Sequence, residues 1–292
     1  MKWVVCAGLM ATCAHSPGAS PSELAAGSLE SGGKTRTYVA WQAPKGAPLV
    51  ISLHGRLGTG EGQAKLTGLV PIAKREGFTV VFPDGVDRSW NDAREVGPAA
   101  RQGVDDVAFL SALIDEFLVK GADRSRVYVL GMSNGGFMSL TAACRLSGKI
   151  AAVASIAGGL STKLQADCPM SRPVPIALFL GTEDSLVPFG GGQMTGNRGE
   201  LTTAGDAARF FAAKNGCSVE PEKRSLADLD PSDGTRVEQQ VFGSCGAPVE
   251  LFVVTGGGHA WPGSHVFRSQ GRASNDVDAS QTAWEFFKRF SL

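Results

Sequence analysis

The strongest chemical signal in the chain is a serine between glycines, Ser133 in the segment 131–136. Its G-x-S-x-G spacing follows an apolar run, residues 127–130, and precedes a helix-compatible segment, residues 137–146. At such a strand–turn–helix junction the serine lies on a sharp turn that lifts its hydroxyl clear of a sheet. Glycine suits both flanks because a side chain there would collide with neighbouring backbone. The alternative is an ordinary turn in a glycine-rich chain; the context favours a nucleophile.

A serine nucleophile needs a general base, and the chain has four histidines. His259 follows the apolar run 250–254 and lies in the glycine-rich segment 255–263. A sheet that ends in this way carries its catalytic histidine on a loop over the carboxyl edge. His259 is therefore the predicted base. His265 is the second choice, and His54 is expected to brace its own loop.

An acid should follow the serine and precede the histidine, where it can hold the imidazole tautomer and stabilise the charged ring. Asp184 meets this requirement because it comes just after the apolar run 176–180. Glu183 is the adjacent alternative, and either could be a solvated loop acid. The chain order Ser…Asp…His is the order found in α/β-hydrolases.

Acyl transfer also needs backbone N–H donors for the negative charge that develops on the substrate oxygen. The loop His54-Gly55-Arg56-Leu57-Gly58 follows the apolar run Leu49–Leu53, and its small residues leave N–H groups free to face the site. One donor is expected from Arg56 or Leu57. The second is expected from Asn134, directly after the serine.

The elements that position these residues are predicted from periodicity. Six short apolar runs indicate strands buried on both faces of a mostly parallel sheet, at residues 49–53, 79–82, 127–130, 151–157, 176–180 and 250–254. Helical spacing of apolar residues at 104–118 and 278–290 indicates helices. The alternation predicts one α/β domain, a doubly wound sheet with helices on both faces. Residues 35–41 and 222–242 are expected to add antiparallel hairpins.

The amino terminus has the order of an export signal. Lys2 precedes a short apolar stretch, residues 3–14, and a small, turn-forming run, residues 16–21. We interpret residues 1–20 as a signal peptide, 21–34 as a flexible segment and 35–292 as the catalytic domain. A weaker match to a lipoprotein processing site makes a lipid anchor on Cys13 the alternative.

Cysteine usage also favours export. Beyond the signal the chain keeps an even four cysteines, which predicts disulfides in an exported protein and allows three connectivities: Cys144, Cys168, Cys217 and Cys245. Nearest-neighbour pairing would close two loops of similar length, and the second would tie the base of the hairpin at 222–242. No cysteine pair has metal-ligand spacing and no histidine lies nearby, so we expect no metal site. Acyl transfer by a serine, histidine and acid needs no cofactor, so none is expected.

Charge limits the partners. Twenty-eight basic residues balance twenty-eight acidic ones, so the net charge is zero. This balance argues against nucleic acid or an anionic membrane as an obligate partner, since both call for a basic surface. No apolar run approaches the ~20 residues of a membrane span.

Together the motifs resemble the polyhydroxybutyrate-depolymerase family of esterases, which includes feruloyl and acetylxylan esterases of the α/β-hydrolase superfamily. The resemblance runs from about Arg36 to the carboxyl terminus. It depends on seven segments in order: His54-Gly55, Phe82-Pro83-Asp84-Gly85, Trp90-Asn91-Asp92, Val104-Asp105-Asp106-Val107-Ala108-Phe109, Gly131-Met132-Ser133-Asn134-Gly135-Gly136, Gly181-Thr182-Glu183-Asp184 and Gly257-Gly258-His259-Ala260-Trp261-Pro262-Gly263.

The resemblance implies Ser133 as nucleophile, Asp184 as acid and His259 as base. It also draws attention to Trp90 and Trp261, whose indole faces would suit an aromatic acyl group or a sugar ring. The alternative for both tryptophans is a packing role.

The expected protein is a secreted or periplasmic serine ester hydrolase that works through an acyl-enzyme on a small or polymer-borne ester. No polymer-binding module follows the catalytic domain, which favours hydroxycinnamoyl, acetyl or other short-acyl esters. The alternatives are a polyhydroxybutyrate or other polyester depolymerase, a serine peptidase on the same fold, and a non-catalytic polysaccharide-binding protein on a hydrolase scaffold.

Overall fold

The computed structural model describes residues 23–264, 266 and 270–292. Ten strands form one sheet in the order β1-β2-β4-β3-β5-β6-β7-β12-β11-β10. These strands are β1 (Ala25–Ser31), β2 (Lys34–Trp41), β3 (Leu49–Leu53), β4 (Thr79–Pro83), β5 (Val127–Met132), β6 (Ala152–Ile156), β7 (Ile176–Gly181), β10 (Glu222–Ser225), β11 (Arg236–Phe242) and β12 (Val249–Thr255). A separate two-stranded ribbon consists of β8 (Gly192–Gln193) and β9 (Glu200–Leu201).

The six central strands, β4 to β12 in the sheet order, run parallel. Antiparallel hairpins extend the sheet at both edges, β1 with β2 and β10 with β11. Because the central strands are parallel, their carboxyl ends meet at one edge, where loops from several strands converge. This edge carries Ser133, Asp184 and His259.

Helices cover both faces of the sheet. The helices are α1 (Gly60–Thr67), α2 (Leu69–Glu76), α3 (Pro98–Arg101), α4 (Asp106–Val119), α5 (Asn134–Arg145), α6 (Thr162–Ala166), α7 (Ala204–Lys214) and α8 (Ala279–Phe287). One core cluster joins the sheet to α4, α5 and α7, and a second joins it to α1, α2 and α8. Alternate strand residues serve the two clusters: Leu49 and Ile51 enter the first, and Val50 enters the second.

All six predicted buried strands are confirmed within a residue or two of their expected limits. Each is buried along nearly its whole length, and β3, β4 and β6 are buried at every position. That burial explains the continuous apolar runs, because a parallel strand with helices on both sides has no solvent face. The hairpin expected within 222–242 is also confirmed, as β10 and β11.

The interpretation of residues 21–34 as a flexible segment is wrong for Ala25–Ser31. This stretch is strand β1, which pairs with β2 over seven residues from Ala25 opposite Ala40 to Ser31 opposite Lys34. Its side chains alternate between exposed and half-buried positions, and Leu29 packs against the core. The sheet therefore begins about ten residues before the expected start of the domain at residue 35.

The four expected cysteines form two disulfides with nearest-neighbour connectivity. Cys144 on α5 joins Cys168, with 24 residues of sequence separation, and Cys217 joins Cys245, with 28. The second bridge closes the base of the β10–β11 hairpin, as expected. Disulfides that close loops of this length stabilise the fold mainly by lowering the conformational entropy of the unfolded chain.

No helix among the described residues is long and apolar enough to cross a bilayer. The expected signal peptide at 1–20 and the alternative lipid anchor at Cys13 lie outside the described residues.

Replacing both Cys144 and Cys168 with alanine should lower the free energy of unfolding by about 3 kcal/mol, because a loop of this length then gains its full unfolded-state entropy. Urea denaturation without reductant measures the change. Wild type treated with reductant serves as the comparison and should lose at least as much. Equal midpoints for variant and untreated wild type would contradict the expectation.

Candidate active site

Ser133 lies at the turn between β5 and α5, at the centre of the carboxyl edge. Its backbone has φ 53° and ψ −118°, a conformation that costs energy for any residue with a side chain. The N–H of Ser133 donates to the carbonyl of Ile156 at the end of β6, at 2.8 Å. The side chain is half-buried. The strand–turn–helix context predicted for this serine is confirmed.

Two glycines make this turn sterically possible. A Cβ on Gly135 would lie 2.2 Å from the carbonyl oxygen of Leu53, and one on Gly131 would lie 2.4 Å from that of Gly135. Both distances are far below van der Waals contact with rigid backbone, so no side chain fits either position. Helix α5 can therefore begin directly against the end of β3, which carries the next loop of the site.

Asp184 and His259 meet above the neighbouring strands. The Nδ1 of His259 lies 2.7 Å from Oδ2 of Asp184, and both side chains are buried. The other carboxylate oxygen, Oδ1, accepts the N–H groups of Leu186 and Val187, each at 2.8 Å. A carboxylate held in this way accepts the Nδ1–H and leaves Nε2 as the free nitrogen of the ring. Asp184, rather than the exposed Glu183, is the partner.

Among the described residues the structure does not join Ser133 to His259 by a hydrogen bond. Such bonds are often long or misaligned before substrate binds. The alternative base, His265, lies outside the described residues. The geometry thus joins the predicted acid to the predicted base and places the serine at the same edge of the sheet.

Trp261 anchors the loop that carries His259, and the expectation that it binds substrate is wrong in this structure. Its side chain is only 2% exposed, and its Nε1–H donates to the hydroxyl of Ser280 on α8 at 3.0 Å. That hydroxyl in turn donates to the carbonyl of Thr67 at 2.6 Å. A ring enclosed in this way presents no face to a ligand. It fixes the histidine loop to the helical layer instead.

Trp90 is buried in the same manner, and its expected substrate contact is also wrong. It has no exposed surface, and its Nε1–H donates to the carbonyl of His54 at 2.8 Å. Residue type alone does not separate a tryptophan that lines a pocket from one that braces a loop. Trp90 braces the loop after β3.

The loop after β3 decides between the two donors expected there. The N–H of Leu57 donates to the carbonyl of Arg88 at 2.8 Å, so it is not available to a substrate, and the expectation for Leu57 is wrong. The backbone of Leu57 is left-handed, with φ 67°. The N–H of Arg56 has no hydrogen-bond partner among the described residues and stays the candidate. The N–H of Asn134, at the first position of α5, also has no hydrogen-bond partner among the described residues.

His54 braces this loop, as the sequence predicts. Its Nε2 accepts the N–H of Gly85 at 2.9 Å, so its Nδ1 carries the proton and donates to the carbonyl of Gly55 at 2.8 Å. Burial lowers the pKa of the imidazole below its usual 6.5. A ring kept neutral with both nitrogens occupied cannot shuttle protons.

Sequence reasoning did not identify a buried polar network beside the serine. The side chain of Asn134 bonds the backbone of Trp90 and the carboxylate of Asp92, which pairs with Arg94. The segment Trp90-Asn91-Asp92 was one of the seven family-like motifs, but its acidic residue carried no signal of its own. Only the folded chain brings residue 92 to the start of α5.

A cleft of about 320 Å³ opens at the same edge, beside Arg94. It lies between the loop before α3, the start of α6 and the β8–β9 ribbon, and its walls are mostly polar: Arg94, Glu95, Val96, Ser161, Thr162, Lys163, Gln193, Asn197, Gly199 and Glu200. Leu57, on the loop after β3, exposes 62% of its surface.

The part of the chain that the structure describes contains no group of three or more histidine, cysteine or acidic side chains arranged to hold a metal ion. The four cysteines that could have served as ligands are consumed in disulfides.

The parallel sheet, the serine turn and the buried acid–histidine pair define a serine hydrolase of the α/β-hydrolase fold. The chain belongs to the phospholipase/carboxylesterase family, whose model matches residues 36–203. The fold class and enzyme class predicted from the sequence, a serine carboxylic ester hydrolase, are confirmed.

Individual relatives agree with this assignment. A feruloyl esterase B of Piromyces equi is 32% identical over 85% of the chain, and a putative esterase, NocK, of Nocardia uniformis is 29% identical over 87%. The chain spans 43% of the first relative and 79% of the second. A poly(3-hydroxyalkanoate) depolymerase of Paucimonas lemoignei is 32% identical over 40% of the chain and 29% of its own length. These matches confirm the family resemblance expected from the seven motifs.

The fold is shared with solved esterases. An acetyl xylan esterase from Aspergillus awamori superposes with a TM-score of 0.62 over 87% of this chain and 94% of that chain. Its sequence identity is 15%, so the likeness concerns the fold alone.

The buried, neutral state of His54 predicts a pH dependence of stability. Folding lowers the pKa of this imidazole below 6.5, so its full contribution to the free energy of unfolding is present above pH 6.5. That contribution is lost as the pH falls from 6.5 toward the pKa of the ring in the folded protein. Below pH 6.5 the free energy of unfolding of wild type should therefore fall by up to about 1.4 kcal/mol per pH unit more than that of His54→Gln, because glutamine does not titrate.

Urea denaturation of both proteins at pH 7.5 and pH 5.5 measures the difference. The variant keeps an acceptor for the Gly85 N–H. A stability gap between the two proteins that does not change with pH would contradict this interpretation.

Proposed function

We propose that this protein is an exported serine esterase that cleaves hydroxycinnamoyl, acetyl or other short-acyl esters through an acyl-enzyme. The observation that carries the proposal is the buried 2.7 Å contact between Asp184 and the Nδ1 of His259, at the edge that also presents Ser133 on its strained turn. An acid–histidine pair beside such a serine is the arrangement that acyl transfer requires.

In the proposed mechanism His259 takes the hydroxyl proton of Ser133 at Nε2, and Ser133 Oγ attacks the ester carbonyl carbon. The carbonyl oxygen becomes an oxyanion, and the N–H groups of Arg56 and Asn134 donate to it. Collapse of the intermediate returns the proton from His259 to the leaving alcohol. Water then repeats the sequence and releases the acid. No step requires a metal or a redox group.

The polarity of the edge supports an ester with an apolar acyl part and a polar alcohol. His259 protonates the leaving alcohol, so the alcohol departs on the side of the serine where β7 and β12 lie. The polar cleft beside Arg94 is lined on that side by the loops that follow β6 and β7, and on its other wall by residues 94–96 from the segment after β4. The exposed Leu57 lies on the opposite side and suits the acyl group. The relative named feruloyl esterase B has a name that agrees with such an ester.

Two disulfides support export, because such bonds persist in oxidising compartments and are rare in the cytosol. We propose a secreted or periplasmic location, with the signal at residues 1–20 removed. Lipid attachment at Cys13 is the alternative, and mass spectrometry of the mature amino terminus from the native host distinguishes the two.

A substrate panel tests the proposed specificity. Methyl ferulate, acetylated xylan and short p-nitrophenyl esters should be hydrolysed, whereas a polyhydroxybutyrate film should release little product, because the cleft at this edge is lined mostly by polar side chains. Release of acid from each substrate is followed by chromatography. Film hydrolysis faster than soluble-ester hydrolysis would favour the polyester depolymerase. Xylan binding without any turnover would favour the non-catalytic polysaccharide-binding protein.

Substitution of the acid tests the mechanism. Asp184→Asn should reduce kcat about 10³- to 10⁴-fold while leaving the fold intact, because the histidine then adopts the wrong tautomer. Glu183→Gln, at the exposed neighbouring carboxylate, is the matched control and should leave kcat near the wild-type value, because His259 bonds Asp184 and not Glu183. Steady-state kinetics with p-nitrophenyl acetate gives both values. A larger loss of kcat in Glu183→Gln than in Asp184→Asn would indicate that Glu183 is the acid partner of His259.

A further inference from the structure

A short segment, residues 90–94, lies across the first two turns of α5; we refer to it as the strap. Near Ser133 it is tied to the side chain of Asn134, whose Oδ1 accepts the N–H of Trp90 at 2.8 Å. The Nδ2 of Asn134 donates to the carbonyl of Trp90 at 3.0 Å and to Oδ2 of Asp92 at 2.6 Å. Every polar group of this amide is thereby occupied.

Asp92 is the centre of the strap. It is 1% exposed, and Arg94 binds both of its oxygens, through Nε at 3.0 and 3.1 Å and through Nη2 at 2.5 Å. The guanidinium of Arg94 also lies 3.7 Å from the ring centre of Phe137, one turn along α5. The carbonyl of Asp92 accepts the hydroxyl of Thr141 at 3.0 Å, another turn along.

The strap is therefore attached to α5 at three positions on one helix face, residues 134, 137 and 141. A buried ion pair of this kind gives little net stability, because removing both charges from water offsets most of their attraction. We interpret the buried pair as a means of holding the start of α5 in place. The first residue of α5 is Asn134, whose N–H is a candidate oxyanion donor.

We propose that Asp92 is a positioning residue for the esterase reaction. It holds the Asn134 side chain and so fixes the direction of the Asn134 N–H toward the oxyanion. Asp92 touches neither the substrate nor the reacting atoms. The inference depends on the proposed function, since an oxyanion donor has a role only if Ser133 is acylated.

The transition state is expected to be affected more than the bound substrate. A small rotation of the donor weakens its hydrogen bond to the tetrahedral oxyanion, whereas ground-state contacts elsewhere are unchanged. Misplacement by about 1 Å can cost on the order of 10²-fold in rate. Loss of Asp92 should therefore lower kcat and leave KM nearly unchanged.

The test compares Asp92→Asn with Glu250→Gln in the complete chain. Glu250 is also a buried carboxylate paired with an arginine, Arg289, but it lies near the start of β12, at the opposite end of the sheet from the site. Both substitutions remove one buried charge. We expect kcat for p-nitrophenyl acetate to fall about 10- to 100-fold in Asp92→Asn, with KM within about threefold. Glu250→Gln should keep the wild-type kcat.

Affinity for a phenylboronic acid separates positioning from general damage. The boronate forms a tetrahedral adduct with the serine, so its inhibition constant should rise in Asp92→Asn by about the same factor as kcat falls. Melting temperature and circular dichroism establish that both variants are folded. Asn134→Ala keeps the N–H but removes the amide, and it should reproduce the loss without adding to it in the double variant.

A folded Asp92→Asn with wild-type kcat, or with kcat reduced but boronate affinity unchanged, would overturn the proposal. Failure of the proposed function would look different, because wild type itself would then show no boronate-sensitive ester hydrolysis.

Discussion

The close approach between the serine-bearing turn and the end of β3 is the constraint on which the site depends. The oxygen of Leu53 leaves no space for a side chain at Gly135, and the turn at Ser133 is held in a left-handed conformation by a hydrogen bond to Ile156. Conformational strain of this kind persists only where the surroundings determine it completely. Here the sheet on one side and α5 on the other do so.

The same approach brings two loops together at the start of α5. The loop after β3 is braced by His54 and Trp90, and the strap reaches the same point through Asp92. The N–H groups of Arg56 and Asn134 have no hydrogen-bond partner among the described residues, so both stay candidate donors to the oxyanion. Preorganised donors of this type stabilise charge without moving at the moment of reaction.

The fold and the principal residues of the site follow from the sequence because their signals are local. Continuous apolar runs mark strands covered on both faces, and the G-x-S-x-G spacing marks a turn whose shape admits little variation. His259 and Asp184 follow from chain order, since parallel strands deliver their loops to one edge.

Other features depend on contacts between distant segments and leave no local signal. The N–H of Leu57 bonds the carbonyl of Arg88, a contact that its residue type does not indicate. Burial turns Trp90 and Trp261 into braces. Strand β1 has only one large apolar residue, Leu29, so its pairing with β2 decides its structure. The role of Asp92 depends on residue 134, which is 42 positions away.

Ser133 is the proposed nucleophile, with His259 as base and Asp184 as acid. Reaction of the protein with a fluorophosphonate, followed by peptide mass spectrometry and an assay of residual activity, tests this assignment. We expect one phosphonyl group per chain, on the peptide that contains Ser133, with ester hydrolysis lost in proportion to labelling. Full hydrolytic activity with Ser133 unlabelled, or inactivation through a label on another residue, would contradict it.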